Sequence, residues 1–120
     1  MLIADDDPQM RGWLLRAMGV LGHQAEAIGD AEALLRRVAD FDPDAVLSDI
    51  GLPACDGITA GLRLRKARPE CRVILMSGDP VRAETARRAG FSAVLDKPFL
   101  LEDLKTALSD LGSRPSPAGA

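Results

Sequence analysis

The sequence predicts an α/β fold in which helices cover both faces of a parallel sheet. Five short apolar runs alternate along the chain with five stretches whose apolar residues recur at helical spacing. Most of the apolar runs lack polar alternation, which is typical of strands that are buried on both faces. The chain has 120 residues, the length of one ordinary domain.

The predicted fold begins with a strand over residues 2–4 that ends at a run of aspartates. Asp7 suits the N-cap and Pro8 the first turn of the helix that follows. Gly22 ends this helix, and a weaker second strand then covers residues 24–28. This opening therefore predicts the first strand–helix–strand unit of the sheet.

The rest of the chain continues the alternation. Asp30 suits the N-cap of a second helix, and a buried strand over residues 45–48 leads to Asp49. After a break at residues 51–53, a helix is predicted over residues 57–67. Its apolar side is predicted to consist of Ile58, Leu62 and Leu64. The remaining predicted elements are a strand over residues 72–76, a helix over 80–89, a strand over 93–95 and a helix over 100–111.

The composition and the two ends of the chain limit the classes of protein that the sequence can represent. Residues 1–111 are predicted to form one domain, and residues 112–120, rich in Gly, Ser and Pro, a linker or disordered tail. The net charge of −3, from 15 basic and 18 acidic residues, does not indicate a nucleic-acid surface. No apolar run is long enough to span a membrane or to form a signal peptide. We expect a cytoplasmic protein that binds neither nucleic acid nor membrane, with Cys55 and Cys71 reduced.

Polar residues fall where the predicted strands end. Asp5 and Asp6 follow the first strand, Asp49 the third, Ser77 the fourth and Lys97 the fifth. The loops after the carboxyl ends of parallel strands converge on one crevice, which is where such sheets bind ligands. The sequence therefore predicts one site that contains several carboxylates, a hydroxyl and an ammonium group.

Such a cluster of carboxylates predicts a cation. Close carboxylates disfavour each other's ionisation unless a positive charge neutralises them. Oxygen ligands suit a hard divalent ion, here Mg²⁺, with Mn²⁺ as an alternative. With the metal and Lys97 on either side, Asp49 can act as a carboxylate nucleophile toward a phosphoryl group.

The sequence resembles the receiver domains of two-component response regulators. The matching motifs are residues 2–7, 43–57, 74–78 and 96–99, and the resemblance extends from Leu2 to about Leu111. It implies a flavodoxin-like, doubly wound, five-stranded parallel sheet of order 2-1-3-4-5 with five helices. It also implies a signalling switch that catalyses its own phosphorylation and dephosphorylation, rather than a metabolic enzyme.

The resemblance assigns roles around the metal. It implies that Asp49 accepts a phosphoryl group from a phosphohistidine of a sensor histidine kinase or a phosphotransfer protein. Asp6 is expected to bind Mg²⁺ directly, Asp5 to assist through water, and the backbone carbonyl of Gly51 to supply a further ligand beside Asp49 itself.

The resemblance also assigns roles around the phosphoryl group. Ser77 is expected to hydrogen-bond a phosphoryl oxygen, small Gly78 to leave room beside it, and Lys97 to pair with the phosphoryl group across a cis bond to Pro98. Phosphorylation is expected to switch the surface of the fourth helix, fifth strand and fifth helix, a possible homodimer interface. Val94 stands where relatives carry the aromatic residue of this switch.

Three features depart from these expectations or lie outside them. Cys55 occupies a position where many relatives carry Met, a minor packing change. Arg82, Arg87 and Arg88 form a basic patch on the fourth predicted helix, interpreted as a solvated face rather than a docking surface. An Asp-Gly pair at residues 56–57 is interpreted as a turn.

Two other function classes remain possible from the sequence. One is a small haloacid-dehalogenase-like phosphohydrolase, in which Asp5 of the Asp-x-Asp pattern would be the nucleophile, although Gln9 stands where that pattern has Thr or Val. The other is a flavin-binding module, for which no phosphate-cradling loop is visible. The near-terminal first strand and linker-like end suggest a trimmed fragment. A stand-alone receiver, the front of a larger regulator and the terminal receiver of a hybrid kinase all stay open.

Overall fold

The computed structural model describes residues 1–41, 43–52, 56–91 and 93–113, which form a five-stranded sheet and five helices. The strands are β1 (Leu2–Ala4), β2 (Glu26–Ile28), β3 (Ala45–Asp49), β4 (Arg72–Ser77) and β5 (Val94–Asp96). The helices are α1 (Pro8–Val20), α2 (Ala31–Phe41), α3 (Gly57–Ala67), α4 (Pro80–Arg88) and α5 (Leu101–Ser113). All neighbouring strands are parallel and their order is β2-β1-β3-β4-β5, which confirms the predicted fold class and strand order.

The core lies in two layers because successive residues of a buried strand point to opposite faces of the sheet. On one face, Leu2 and Val46 pack with apolar residues of α2, α3 and α4. On the other, Ile3 and Leu47 pack with α1 and α5. The strands β1, β3 and β4 are buried almost throughout, whereas Glu26 of the edge strand β2 is exposed. This agrees with the prediction of apolar central strands and a weaker second strand.

Local signals set most helix boundaries as predicted. The Asp7 carboxylate accepts a hydrogen bond from the Gln9 amide at 3.0 Å, and the Asp30 carboxylate accepts one from the Ala33 amide at 2.7 Å. Both side chains thus satisfy amides that have no partner inside the helix. Gly22, just after α1, has a φ of 85°, in the left-handed region that favours glycine.

The structure corrects two details of the helix predictions. Leu62 is 44% exposed and does not belong to the buried side of α3. That side is formed by small residues and one leucine, namely Gly57, Ala60, Gly61 and Leu64. A side chain at Gly61 would bring its Cβ within 2.8 Å of the Phe91 ring, so α3 lies too close to Phe91 for a larger residue. The helix α5 extends to Ser113, two residues beyond its predicted end.

Some predictions concern residues outside the described part of the chain. They are the break at Pro53, the packing change at Cys55 and most of the proposed tail, residues 114–120. Cys71, in contrast, is buried in the core. Among the helices that the structure describes, none is long and apolar enough to cross a bilayer.

Candidate functional site

The carboxyl ends of β1, β3 and β5 bring three charged side chains together. Asp5 follows β1, Asp49 is the last residue of β3, and Lys97 follows β5. The Lys97 Nζ lies 2.7 Å from Asp5 Oδ2 and 3.5 Å from Asp49 Oδ2. The topology therefore unites residues that are 92 positions apart in the sequence, as the strand-end pattern predicts.

Burial makes these contacts strong. Asp5 is fully buried, Asp49 is 9% exposed and the side chain of Lys97 is 23% exposed. The second carboxylate oxygen of Asp5 accepts a hydrogen bond from the Asp7 amide at 2.9 Å. Because an unpaired buried polar group is costly, Lys97 and this amide supply the partners that the buried Asp5 carboxylate requires.

Three carboxylates form a group that could hold a metal ion. Asp5, Asp6 and Asp49 each offer one oxygen, and these oxygens all lie within 4.8 Å of one another. Asp6 is exposed, whereas the other two are buried. An all-oxygen donor set of this kind, open to water on one side, fits a hard divalent ion such as Mg²⁺. With one lysine for three carboxylates, the group also retains negative charge that a cation would neutralise.

The pKa values of Asp49 and Lys97 reflect this environment. Burial raises the pKa of Asp49, and the nearby charge of Lys97 and the hydrogen bond from the Gly51 amide only partly oppose it. Burial also disfavours the charged form of Lys97, but the hydrogen bond to Asp5 and the charge of Asp49 outweigh it, and the pKa of Lys97 is raised. Lys97 is thus stabilised as a cation beside Asp49, whose negative charge Lys97 offsets only in part.

The loop after β3 shapes the pocket through two glycines. The Gly51 amide donates a hydrogen bond to Asp49 Oδ1 at 3.3 Å. The Gly57 amide donates to the Ile50 carbonyl at 2.9 Å, and a Cβ on Gly57 would lie only 2.4 Å from Ile50 Cα and 2.7 Å from the Asp49 carbonyl oxygen. Gly57 is therefore required for α3 to approach the loop beneath Asp49. The Asp-Gly pattern alone indicated a turn and gave no signal of this close approach.

Ser77 lies at the end of β4 and bonds the turn that follows this strand. It is 3% exposed at the end of β4, and its hydroxyl donates to the Asp79 carbonyl at 3.0 Å and accepts from the Asp79 amide at 2.9 Å. Asp79 is in turn the N-cap of α4, with its side chain accepting from the Val81 amide. A Cβ on Gly78 would meet no atom of the described residues within 4 Å, so these residues leave open space at this turn. The Ser77 hydroxyl thus stabilises the turn that precedes α4.

The fifth strand connects the site to α4. The Lys97–Pro98 bond is cis, as predicted, and Val94 is half-buried and packs against the core beneath α4. Arg87 of α4 donates hydrogen bonds to the Val94 carbonyl at 3.4 Å and to the Asp96 carboxylate at 3.0 Å. The sequence pattern did not indicate this contact, because it joins two exposed polar side chains.

The three arginines of α4 do not form one uniformly solvated patch. Arg87 bonds β5, whereas Arg88 pairs with Glu84 one turn earlier on the same helix at 3.3 Å. Arg82 extends toward the loop after β3, where its Nη1 lies 3.6 Å from the position that a Cβ on Gly51 would occupy. Helical spacing places all three on one exposed helix but does not reveal their separate neighbours.

Comparison with known proteins assigns the family. Residues 1–109 match the response regulator receiver domain, so the chain belongs to this family. It is 36% identical to the DNA-binding transcriptional regulator NtrC of Azospirillum brasilense, covering 98% of this chain and 25% of that protein. It is 32% identical to the response regulator MprA of a Mycobacterium species, covering 97% of this chain and 51% of MprA. The chain thus spans between a quarter and about half of these curated relatives.

A solved structure agrees with this assignment. The receiver domain of NtrX from Brucella abortus superposes with a TM-score of 0.83 at 27% identity, covering 94% of this chain and 98% of that one. The alternative of a haloacid-dehalogenase-like enzyme receives no support from the site. Asp5, its required nucleophile, is fully buried with both carboxylate oxygens bonded. The chain is a receiver domain, and receiver domains are signalling switches.

Proposed function

We propose that this domain accepts a phosphoryl group on Asp49 from a phosphohistidine of a sensor histidine kinase or a phosphotransfer protein. The observation that carries the proposal is the position of Asp49. Its carboxylate ends a central strand, 3.5 Å from a lysine ammonium and within 4.8 Å of the oxygens of Asp5 and Asp6. The proposal is supported because a carboxylate, a fixed cation and two further carboxylates that could hold a metal lie close together.

The chemistry follows from these neighbours. An oxygen of the Asp49 carboxylate attacks phosphorus, the bond from phosphorus to the histidine nitrogen breaks, and the imidazole leaves with the electron pair. Asp5, Asp6, Asp49 and the Gly51 carbonyl would hold Mg²⁺, which supplies positive charge to the phosphoryl oxygens. Lys97 supplies a second positive charge from the opposite side. Since phosphoryl transfer depends mainly on alignment and charge neutralisation, these groups are sufficient for transfer and for later hydrolysis.

The switch proposal rests on Ser77. To reach a phosphoryl oxygen on Asp49, its hydroxyl must leave the Asp79 backbone groups that it now bonds at 3.0 and 2.9 Å. Loss of these bonds would free the backbone of Asp79, the N-cap residue of α4. Because Arg87 of α4 bonds Asp96 of β5, movement of α4 would also affect β5. A local charge change would thereby shift the surface formed by α4, β5 and α5 between two arrangements. Because Val94 stands in place of an aromatic residue, we expect polar contacts such as those of Arg87 to couple α4 to β5.

The surroundings of the domain are part of the same proposal. We place it in the cytoplasm, where kinases and phosphotransfer proteins supply phosphohistidine. The surface of α4, β5 and α5 is the proposed contact for a second copy or for an output domain. DNA binding, named for the NtrC relative, is not assigned to this domain, whose net charge is −3.

The test is phosphorylation by acetyl phosphate with Mg²⁺, followed by mapping of the modified residue. The wild-type chain is expected to gain one phosphoryl group on Asp49, trapped by borohydride reduction of the acyl phosphate. Asp49→Asn should abolish labelling, and omission of Mg²⁺ should suppress it. Asp44→Asn is the matched control, because Asp44 lies at the opposite end of β3 with its side chain 77% exposed. Labelling that persists in Asp49→Asn, or is lost only in Asp5→Asn, would overturn the proposal.

A further inference from the structure

Arg82 lies at the rim of the phosphoacceptor pocket. It is the third residue of α4, and α4 begins three residues after Ser77. A Cβ built on Gly51 would lie 3.6 Å from Arg82 Nη1 and 3.8 Å from Asp49 Oδ2. The guanidinium and the phosphoacceptor carboxylate therefore both border the space that a side chain at residue 51 would occupy.

The guanidinium of Arg82 is uncommitted within the part of the chain that the structure describes. No hydrogen bond or ion pair joins it to any of those residues, whereas Arg87 bonds Asp96 and Arg88 bonds Glu84. Its side chain is exposed and rotatable, and it stands beside a group of carboxylates that holds excess negative charge. An arginine in this position is available to a ligand that brings further negative charge into the pocket.

We propose that Arg82 is a further phosphoryl-binding residue, which reaches an aspartyl phosphate on Asp49 through the opening that Gly51 leaves. The inference rests on the proposed function and adds a residue to it. Guanidinium donors match the geometry of phosphoryl oxygens and can contact two of them at once. Arg82 thus supplies a second protein cation, beside Lys97, that acts when the phosphoryl group is present.

Arg82 acts while the phosphoryl group is transferred from acetyl phosphate to Asp49. The bond from Asp49 Oδ to phosphorus forms, the bond from phosphorus to the acetyl oxygen breaks, and acetate leaves with the electron pair. Negative charge stays on the three equatorial phosphoryl oxygens throughout. A guanidinium at the mouth of the pocket stabilises this charge in the transition state and in the phosphorylated product.

Gly51 provides an internal test of the geometry. Its φ does not lie in the left-handed region, and among the described residues a Cβ there would make only ordinary contacts, so this part of the structure accepts a side chain. A longer side chain would fill the gap between Arg82 and Asp49. Gly51→Leu should therefore weaken phosphoryl binding in the wild type and have little additional effect once Arg82 is replaced.

The experiment compares Arg82→Gln with Arg88→Gln in the full chain. Both variants remove one positive charge from an exposed position of α4, and Arg88 differs in that it pairs with Glu84 on the same helix. Two readouts are used, the affinity for beryllofluoride with Mg²⁺, which imitates a bound phosphoryl group, and the rate of labelling by acetyl phosphate. Arg82→Gln should lower both by about fivefold, while Arg88→Gln should stay within about twofold of the wild type. Arg82→Lys, which keeps the charge without the planar fork, should fall between them.

The outcomes separate this inference from the proposed function. If the wild type is labelled on Asp49 and Arg82→Gln matches Arg88→Gln in both readouts, the role of Arg82 is wrong and the proposed function stands. If Gly51→Leu weakens beryllofluoride binding equally with and without Arg82, the opening is not used by this residue. If the wild type accepts no phosphoryl group on Asp49, the proposed function fails and the inference with it.

Discussion

Asp96 and Lys97 are consecutive residues at the end of β5, yet their side chains enter two different environments. Lys97 points into the pocket, 2.7 Å from the fully buried carboxylate of Asp5. Asp96 points to the opposite side, 3.0 Å from Arg87 of α4, in a pair whose side chains are 60% and 41% exposed. Both contacts join a cation to a carboxylate at similar distances, but the Lys97 contact is buried and extends to a second carboxylate, whereas the Arg87 contact is exposed.

Burial decides what each contact does for the fold. Asp5 is fully buried and Lys97 is its cationic partner, so removal of Lys97 leaves a buried carboxylate without that partner. Arg87 and Asp96 can both be hydrated when the pair is broken, so their contact contributes little stability. The pocket is thus fixed by an electrostatic requirement, whereas the α4–β5 contact is one of several that exposed side chains could make. This is why the second contact is suited to change in a switch.

The largest effect is expected where the pocket depends on packing as well as charge. Gly57→Ala would place a Cβ 2.4 Å from Ile50 Cα, so the loop beneath Asp49 or the start of α3 must move. We expect a loss of about 3 kcal/mol in the free energy of unfolding, measured by urea denaturation. Gly19→Ala in α1 is the control, because no atom of the described residues lies within 4 Å of its Cβ position, and it should be neutral or stabilising. Equal losses in the two variants would mean that α3 does not constrain the pocket.

The charge of the pocket is tested by Lys97→Met. Loss of the ammonium leaves Asp5 and Asp49 without the cation that now contacts both, and the free energy of unfolding should fall by about 2 kcal/mol. Saturating Mg²⁺ should recover part of this loss because the ion supplies charge to the same carboxylates. Lys105→Met makes the same chemical change at an exposed position of α5 and should alter stability by less than about 0.5 kcal/mol. A similar small change in Lys97→Met would show that the buried pair contributes no more than an exposed one.

A smaller effect of opposite sign is expected for Asp49→Asn. Burial raises the pKa of Asp49, so its ionisation is less favourable in the folded chain than in the unfolded chain. The folded state therefore binds more protons, and this group lowers stability as pH rises through the ordinary and then the raised pKa. Asn removes that cost, which should increase the free energy of unfolding at neutral pH by on the order of 1 kcal/mol.

The pH and metal dependence of Asp49→Asn make the test specific. The gain should vanish in acid, below the ordinary pKa of an aspartate, where both states of the wild type are protonated. Saturating Mg²⁺ should reverse the sign, since it stabilises the wild type and loses a ligand in the variant. Unfolding curves from acid to neutral pH, with and without Mg²⁺, measure both effects. A gain that is independent of pH would contradict the electrostatic origin.

The pocket was largely predictable from the sequence, and the reason is physical. Aspartates at the ends of apolar strands must be neutralised, and a parallel sheet brings those ends together, so Asp5, Asp49 and Lys97 could be placed before any coordinates. The partner of Ser77 could not, because its hydroxyl bonds a backbone turn whose geometry leaves no sequence pattern. The same holds for Gly57, where an Asp-Gly pair gives no measure of how closely two backbones approach.

The exposed side of the fold was less predictable than the pocket. Helical spacing correctly placed Arg82, Arg87 and Arg88 on α4, but a long charged side chain selects among several neighbours within reach. Leu62 illustrates the same limit for apolar residues, since α3 packs through small residues and leaves this leucine 44% exposed. Sequence patterns predict the contacts of buried groups well because few arrangements satisfy such groups. They predict the contacts of exposed groups poorly because many arrangements do.

The smallest expected effect belongs to the contact that opened the comparison, the pair between Arg87 and Asp96. A double-mutant cycle with Arg87→Ala and Asp96→Ala should give a coupling free energy of about 0.5 kcal/mol or less, reduced further by salt. Urea denaturation of the four proteins at low and high ionic strength measures it. If this coupling free energy were as large as the loss of unfolding free energy in Lys97→Met, the contacts on the two sides of β5 would contribute equally to stability. The α4–β5 contact would then resist rearrangement, and the release of α4 by Ser77 would require a different hinge.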